Sequence, residues 1–142
     1  EQNNKAGEAR ALNSISVVYN IQGLYMQSLE MDEKVLQMQI EIGDSSKIAG
    51  SFNNMAVSPQ RMGLYSEALK NYQNALQIAN SINDSNSIAL YYNNIGHIHL
   101  QTQQYDSAKF YFLKFQFLME VYSNRNLIFY KIFLHKYNKV IS

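Results

Sequence analysis

The sequence predicts an all-α fold in which antiparallel helix pairs stack side by side as a solenoid. One observation is an internal repeat with a period of 40 residues, since Gly23-Leu24-Tyr25 recurs as Gly63-Leu64-Tyr65. The other is the spacing of apolar residues inside each repeat, three and four apart, which is typical of helices apolar along one stripe. Such helices bury that stripe only against a neighbour, so the repeats are expected to stack.

The period divides the chain into three predicted units and a predicted terminal helix. Asn13 recurs as Asn53 and Asn93, which fixes the register. The units are residues 5–44, 45–84 and 85–124, and the terminal helix covers 125–142. We expect residues 1–142 to form a single array. Its terminal helix either caps the array or is the first helix of a truncated fourth unit, and its outer face, which is not polar, favours the fourth unit.

The middle unit shows how the elements are predicted. Asp44 supplies the N-cap of its first helix, and Gly63 ends that helix. Ser66 is expected to cap the second helix. Pro59 is expected in the middle of the first helix, where it removes a backbone hydrogen bond and should kink the helix near Met55.

These units resemble the tetratricopeptide repeat. The motif of the middle unit is Asn54-Met55-Ala56, Gly63-Leu64-Tyr65, Ala68, Tyr72 and Ala75; the third unit follows it, and the first follows it less closely. The resemblance implies a right-handed superhelix whose first helices line a concave groove. It implies a non-catalytic scaffold that binds a protein or peptide. Similar 40-residue arrays occur in bacterial signalling regulators, so we expect a fragment of a larger bacterial regulatory protein; the alternative is a ligand-sensing domain that passes a small-molecule or peptide signal to an effector.

The groove positions that the resemblance implies are rich in asparagine. They are Arg10, Asn13, Val17 and Asn20 in unit one, Gly50, Asn53, Asn54, Val57 and Gln60 in unit two, and Leu90, Asn93, Asn94 and His97 in unit three. An amide side chain carries two donors and an acceptor, so it is able to pair with the backbone of an extended peptide. The alternative is that these amides merely solvate the inner helix face.

The second helix of unit three carries an apolar stripe where the earlier units are polar. Phe110, Leu113, Phe117 and Val121 replace Glu30, Glu33, Gln37 and Glu41 of unit one and Lys70, Gln73, Gln77 and Ser81 of unit two. An exposed apolar stripe indicates a contact surface. It is expected to form a homodimer contact or to dock a following domain, unless a fourth unit covers it.

Composition excludes several other classes of function. The net charge of +1 argues against direct nucleic-acid binding, and the absence of cysteine removes thiolate sites and a cysteine nucleophile. His97 and His99 point to different helix faces, so no metal site is expected. We expect no cofactor, no catalytic residue and no membrane span, and the compartment stays open between cytoplasm and periplasm.

Overall fold

The computed structural model describes residues 2–122, with side chains from residue 4 onwards, and within this range it contains six α-helices and no strand. The helices are α1 (Gln2–Ile21), α2 (Tyr25–Ile42), α3 (Ser45–Arg61), α4 (Tyr65–Ser81), α5 (Ser85–Gln101) and α6 (Tyr105–Tyr122). The predicted all-α fold class is therefore confirmed. The predicted terminal helix over 125–142 lies outside the described residues.

Packing runs from each helix to the next along the chain, so α1 and α2, α3 and α4, and α5 and α6 form hairpins that stack in order. Alanines at the crossings let the helices approach closely, and Ala9, Ala49 and Ala89 are almost fully buried. The core between units two and three combines helices α3, α4 and α5; its buried members are Ala56, Ala68, Tyr72, Ile95 and Ile98. The solenoid is thus held by side chains shared between adjacent helices.

The turn inside each unit uses one residue in the left-handed region. Gly63 has a φ of 78°, its N–H donates to Gln60, and the N–H of Leu64 donates back to the carbonyl of Pro59. These two bonds satisfy carbonyls at the end of α3. Gly23 forms the same turn in unit one, and Gln103 forms it in unit three with a φ of 60°.

One helix start agrees with the sequence prediction, one was not predicted, and one differs from the prediction. Asp44 accepts a hydrogen bond from the N–H of Lys47 at 3.1 Å, and Asp84 accepts one from the N–H of Ser87 at 3.2 Å. The prediction that Ser66 caps the second helix of unit two is wrong. The turn after α3 makes Leu64 the N-cap residue without a side-chain bond, so Ser66 lies within the first turn of α4.

The proline of α3 has its missing hydrogen bond replaced from another helix. Pro59 lies in the last turn of α3, because the helix ends at Arg61, and not in the middle of the helix as the sequence suggested. Without an N–H, Pro59 cannot bond to the carbonyl of Met55 one turn earlier. The side-chain Nδ2 of Asn71, on α4, donates to that carbonyl at 3.3 Å. The loss inside α3 is therefore compensated across the hairpin.

Candidate binding groove

The predicted groove residues lie on solvent-accessible faces of α1, α3 and α5. Arg10, Val17, Leu90 and His97 are exposed, and Asn13, Asn20, Gly50, Asn53, Asn54, Val57, Gln60, Asn93 and Asn94 are half-buried. None of them belongs to the buried core. The structure therefore leaves all of them accessible, and their binding of a partner stays a prediction.

Four of the asparagines form a chain of hydrogen bonds across the three helices. Asn94 Nδ2 donates to Asn53 Oδ1 at 2.8 Å, and Asn54 Nδ2 donates to Asn13 Oδ1 at 2.7 Å. Asn53 Nδ2 donates to Asn54 Oδ1 at 3.3 Å, which joins the two bonds into one chain. The sequence identified these residues but not their mutual pairing, although each cross-unit pair is 41 positions apart.

This amide chain keeps hydrogen-bonding capacity for a partner. A carboxamide has two N–H donors and an oxygen with two acceptor sites. The bonds of the amide chain use one N–H each from Asn53, Asn54 and Asn94, and none from Asn13. The lateral bonds therefore orient the amides, while these bonds leave one donor on each of Asn53, Asn54 and Asn94 and two on Asn13.

Gln60 and Asn20 form hydrogen bonds between neighbouring helices. Gln60 Oε1 accepts from the hydroxyl of Tyr72 at 2.8 Å, and Gln60 Nε2 donates to Gln101 at 2.8 Å. Burial raises the pKa of Tyr72 to about 12, so its hydroxyl stays protonated at neutral pH. Asn20 Nδ2 donates to Ser58 Oγ at 2.9 Å. These two groove residues brace neighbouring helices.

A pocket of about 140 Å³ lies between α1 and α2 of unit one and α3 of unit two, and it reaches the groove face. Its lining includes five predicted groove residues: Asn13, Val17, Asn20, Asn54 and Val57. The other lining residues are Ser16, Ile21, Ser28 and Asp32. Residues that the sequence placed in the groove thus share a cavity with a buried polar cluster, which we call the unit-one pocket.

The polar cluster of the unit-one pocket is centred on Asp32, whose side chain is only 3% exposed. Ser16 Oγ donates to Asp32 Oδ1 at 2.5 Å, and Ser28 Oγ lies 3.0 Å from Ser16 Oγ. Burial raises the pKa of Asp32, and the hydrogen bond from Ser16 opposes that shift in part. The cluster therefore holds a carboxyl group in an environment that disfavours its charge.

The unit-one pocket has no polar counterpart in the other two units. Forty residues on, Ser16, Ser28 and Asp32 correspond to Ala56, Ala68 and Tyr72, and forty further on to Gly96, Ala108 and Phe112. In unit two these residues form apolar core, and in unit three the ring of Phe112 packs so closely that a Cβ on Gly96 would lie 2.8 Å from it. The pocket lies where the other units hold an aromatic ring. The sequence alone shows that unit one differs from the other units at these three positions, but the repeat motif does not predict a pocket there.

The predicted contact stripe on α6 is partly accessible. Phe110 is 39% exposed and Val121 is 46% exposed, while Leu113 and Phe117 are half-buried. The polar residues at the same positions in units one and two are all exposed. Lys114 places its Nζ 4.7 Å from the centroid of the Phe110 ring. The structure thus places the stripe on an outward face, and its use as a contact stays a prediction.

The histidines that the structure describes take part in packing. His99 stacks on Tyr111 with ring centroids 5.3 Å apart, and its Nδ1 lies 2.6 Å from Gln104 Oε1. His97 meets the ring of Phe112 edge-on at 5.1 Å. Between residues 2 and 122 there is no group of three potential metal ligands, and none of the helices there is long and apolar enough to cross a bilayer.

Comparison with known proteins identifies the repeat in the middle of the chain. Residues 47–114 match the family model of the tetratricopeptide repeat. Residues 47–114 carry tetratricopeptide repeats. Its structure is similar to the crystal structure of the TPR domain of Arabidopsis FLU, with a TM-score of 0.75, 82% of this chain and 98% of that chain covered, and 15% sequence identity. This similarity shows that the repeats form a tetratricopeptide-type helical solenoid. No curated protein matches the sequence significantly.

Proposed function

We propose that these tetratricopeptide repeats form a non-catalytic scaffold that binds an extended peptide segment of a partner protein in the groove. The fold generally mediates protein–protein interaction. The observation that carries the proposal is the amide chain of Asn13, Asn54, Asn53 and Asn94, which runs across α1, α3 and α5. It presents a row of oriented amides on one accessible face.

The oriented amides suit a peptide backbone. A backbone offers a carbonyl and, except at proline, an N–H at every residue, so amides in a row are able to pair with it whatever the side chains. Each such bond contributes about 0.5–1.5 kcal/mol net. Because the lateral bonds already hold the amides, binding costs less side-chain entropy. Several bonds along the row would then give a moderate affinity with low sequence specificity.

A random-peptide selection tests the groove. Phage-displayed dodecapeptides are selected on the chain, and the affinity of the enriched peptides is measured for wild type and for the double variant Asn53→Ala, Asn93→Ala. We expect a loss of at least tenfold with an unchanged helical circular-dichroism spectrum. Equal affinity of the folded double variant contradicts the proposal, as does a selection that enriches no peptide.

Two controls sharpen this experiment. The variant Gln73→Ala, Gln77→Ala removes two exposed amides from α4, outside the groove, and should bind as wild type does. Methylation of alternate backbone nitrogens in an enriched peptide should abolish binding, whereas single alanine substitutions in that peptide at positions other than lysine should change it little. The opposite result shows side-chain recognition and contradicts backbone pairing.

We further propose that the outward face of α6 forms a contact between two copies of the chain. Its four apolar positions stand where units one and two carry polar residues, and Phe110 and Val121 are accessible there. Burying side chains of this kind is worth about 1.5–3 kcal/mol each, which supports association.

We also propose that the array belongs to a larger bacterial regulatory or signalling protein. The support is its 40-residue period and its richness in asparagine, isoleucine, lysine and tyrosine. The sequence of the gene on both sides of this segment tests the proposal. A histidine kinase, membrane segment or DNA-binding domain next to the array supports it, and a chain that encodes only the repeats contradicts it.

A further inference from the structure

Unit one has the buried carboxyl group of Asp32 at the position where the other two units have an aromatic side chain. The other two units place Tyr72 and Phe112 there, against small apolar residues. A buried carboxylate is unfavourable unless it is paired, and Asp32 has only the hydroxyl of Ser16 as its hydrogen-bond partner in the described structure. A residue that is less stabilising than its counterparts in the other units, and that lines an accessible cavity, indicates a binding role for that cavity.

The unit-one pocket has the volume for a short alkyl chain. Its volume of about 140 Å³ is close to that of an engineered cavity of about 150 Å³ that takes benzene. Val17, Ile21 and Val57 provide apolar walls, and Asp32 with its two serines provides the polar end. A ligand with methylene groups and one polar head therefore matches both parts of the lining.

The polar end selects a compact cation. Asp32 is the one ionisable side chain among the residues that line the pocket, so the lining offers a negative charge and no positive one. Asp32 Oδ1 already accepts from Ser16, which leaves one carboxylate oxygen for a ligand. A guanidinium fork pairs best with both oxygens of a carboxylate, whereas an ammonium needs only one and offers its remaining N–H groups to hydroxyl and amide oxygens.

We propose that the unit-one pocket binds the primary ammonium group of a lysine side chain that a peptide in the groove inserts beside the amide chain. The lysine as the source of the ammonium rests on the proposed peptide-binding function. The pocket and the groove share Asn13 and Asn54, so a peptide held by the amide chain passes over the pocket opening.

A titration with butylammonium chloride tests the pocket without any peptide. Methyl NMR signals of Val17, Ile21 and Val57 should shift and saturate as butylammonium is added. Butanol, which has similar size and no charge, should bind at least tenfold more weakly. Butyrate should not bind. Equal affinity for butylammonium and butanol, or no saturable shift with butylammonium, overturns the proposal.

Two variants test the role of Asp32. Asp32→Asn keeps the size of the side chain and should weaken butylammonium binding at least tenfold while the far-UV spectrum is unchanged. The triple variant Ser16→Ala, Ser28→Ala, Asp32→Tyr introduces the residues of unit two, fills the cavity with a ring and should abolish binding in a folded chain. Wild-type affinity for butylammonium in either variant overturns the proposal.

Peptides separate this inference from the groove proposal. The capped peptides acetyl-Ala-Ala-Lys-Ala-Ala-amide and its norleucine counterpart differ only in the ammonium group. We expect the lysine peptide to bind at least tenfold more tightly to wild type and equally to Asp32→Asn. Binding of butylammonium without preference for the lysine peptide overturns lysine as the ligand. The Asn53→Ala, Asn93→Ala result bears on the groove alone, because neither residue lines the pocket.

Discussion

At the scale of single residues, Asp32 links stability to pH. Burial raises its pKa above the ordinary value of 3.8, so the folded chain binds this proton more tightly than the unfolded chain. The contribution of Asp32 to stability is therefore fully present below pH 3.8 and is lost as pH rises through the raised pKa. Above the raised pKa, the charged carboxylate destabilises the fold relative to a neutral side chain of the same shape.

Asp32→Asn should accordingly stabilise the chain at neutral pH. We expect the free energy of unfolding at pH 7 to rise by about 1–3 kcal/mol, the range for a buried polar group whose desolvation is incompletely compensated. The gain should shrink towards zero at pH 3.5, where Asp32 is protonated in both states. Urea unfolding followed by circular dichroism measures both values.

Glu33→Gln is the matched control for this measurement, because Glu33 is the next residue of α2 and is exposed. It should change stability by less than about 0.5 kcal/mol at either pH. A loss of stability in Asp32→Asn at pH 7, or a gain that is equal at both pH values, contradicts the prediction.

At the scale of helices, a side chain of α4 donates the hydrogen bond that a backbone carbonyl of α3 lacks. Asn71 supplies the donor that Pro59 removes from the carbonyl of Met55. At the same positions of unit three, His99 and Tyr111 stack instead, with an interplanar angle of 8°. The two positions therefore form a pair across the hairpin whose chemistry changes from unit to unit.

The pairing of Asn71 with Pro59 predicts strong coupling in a double-mutant cycle. Asn71→Leu leaves the carbonyl of Met55 unpaired and should cost about 1–3 kcal/mol of unfolding free energy. In a Pro59→Ala background the restored N–H serves that carbonyl, so the same substitution should cost at least about 1 kcal/mol less. Urea unfolding of the four proteins measures the coupling.

Asn80→Leu serves as control in the same two backgrounds, since Asn80 is exposed on α4. Its effect should be independent of residue 59. If Asn71→Leu costs the same with proline and with alanine at position 59, Asn71 does not compensate for the proline.

Helix positions and helix ends were largely predictable, because they depend on residues near in sequence. Apolar spacing, the aspartate cap of α3 and the glycine turn are local signals, and the structure has Asp44 and Gly63 in those roles. Ser66 failed as a cap because the preceding turn fixes where α4 begins.

The candidate site was predictable only in part, because its geometry depends on partners in other helices. Period and resemblance identified the groove asparagines, but the bond from Asn54 to Asn13 joins helices of different units. The cavity above Asp32 arises from a ring that is missing relative to the other units. A repeat motif identifies the residues that a unit shares with its family. The cavity depends on an aromatic ring that units two and three have and unit one lacks, so only an alignment of the three units indicates it.

At the scale of the whole molecule, the array is asymmetric along its length. Unit one carries a polar pocket, unit two an apolar core with a compensated proline, and unit three an apolar outward stripe. Because packing runs mainly between consecutive helices, changes at α1 and α2 should be nearly independent of changes on α6. Effects on the unit-one pocket and effects on association through α6 are therefore separable by mutation.

The apolar outward stripe of α6 predicts a dimer, and glutamate substitutions in the stripe should dissociate it. Light scattering after size exclusion should give the wild-type chain twice its mass of 16.4 kDa. The double variant Phe110→Glu, Val121→Glu should give the single mass, because two carboxylates in a self-associating apolar contact repel one another and lose hydration. Its circular-dichroism spectrum should match that of wild type, since both positions are accessible.

The matched control places the same charges at the same positions of unit two, as Lys70→Glu and Ser81→Glu. Both positions are exposed, so this variant should remain dimeric. A wild-type chain of single mass contradicts the dimer and leaves residues 125–142 or a following domain as the cover of the stripe. A control variant that also becomes monomeric contradicts α6 as the contact, because the effect would then come from charge alone and not from its position on the apolar face.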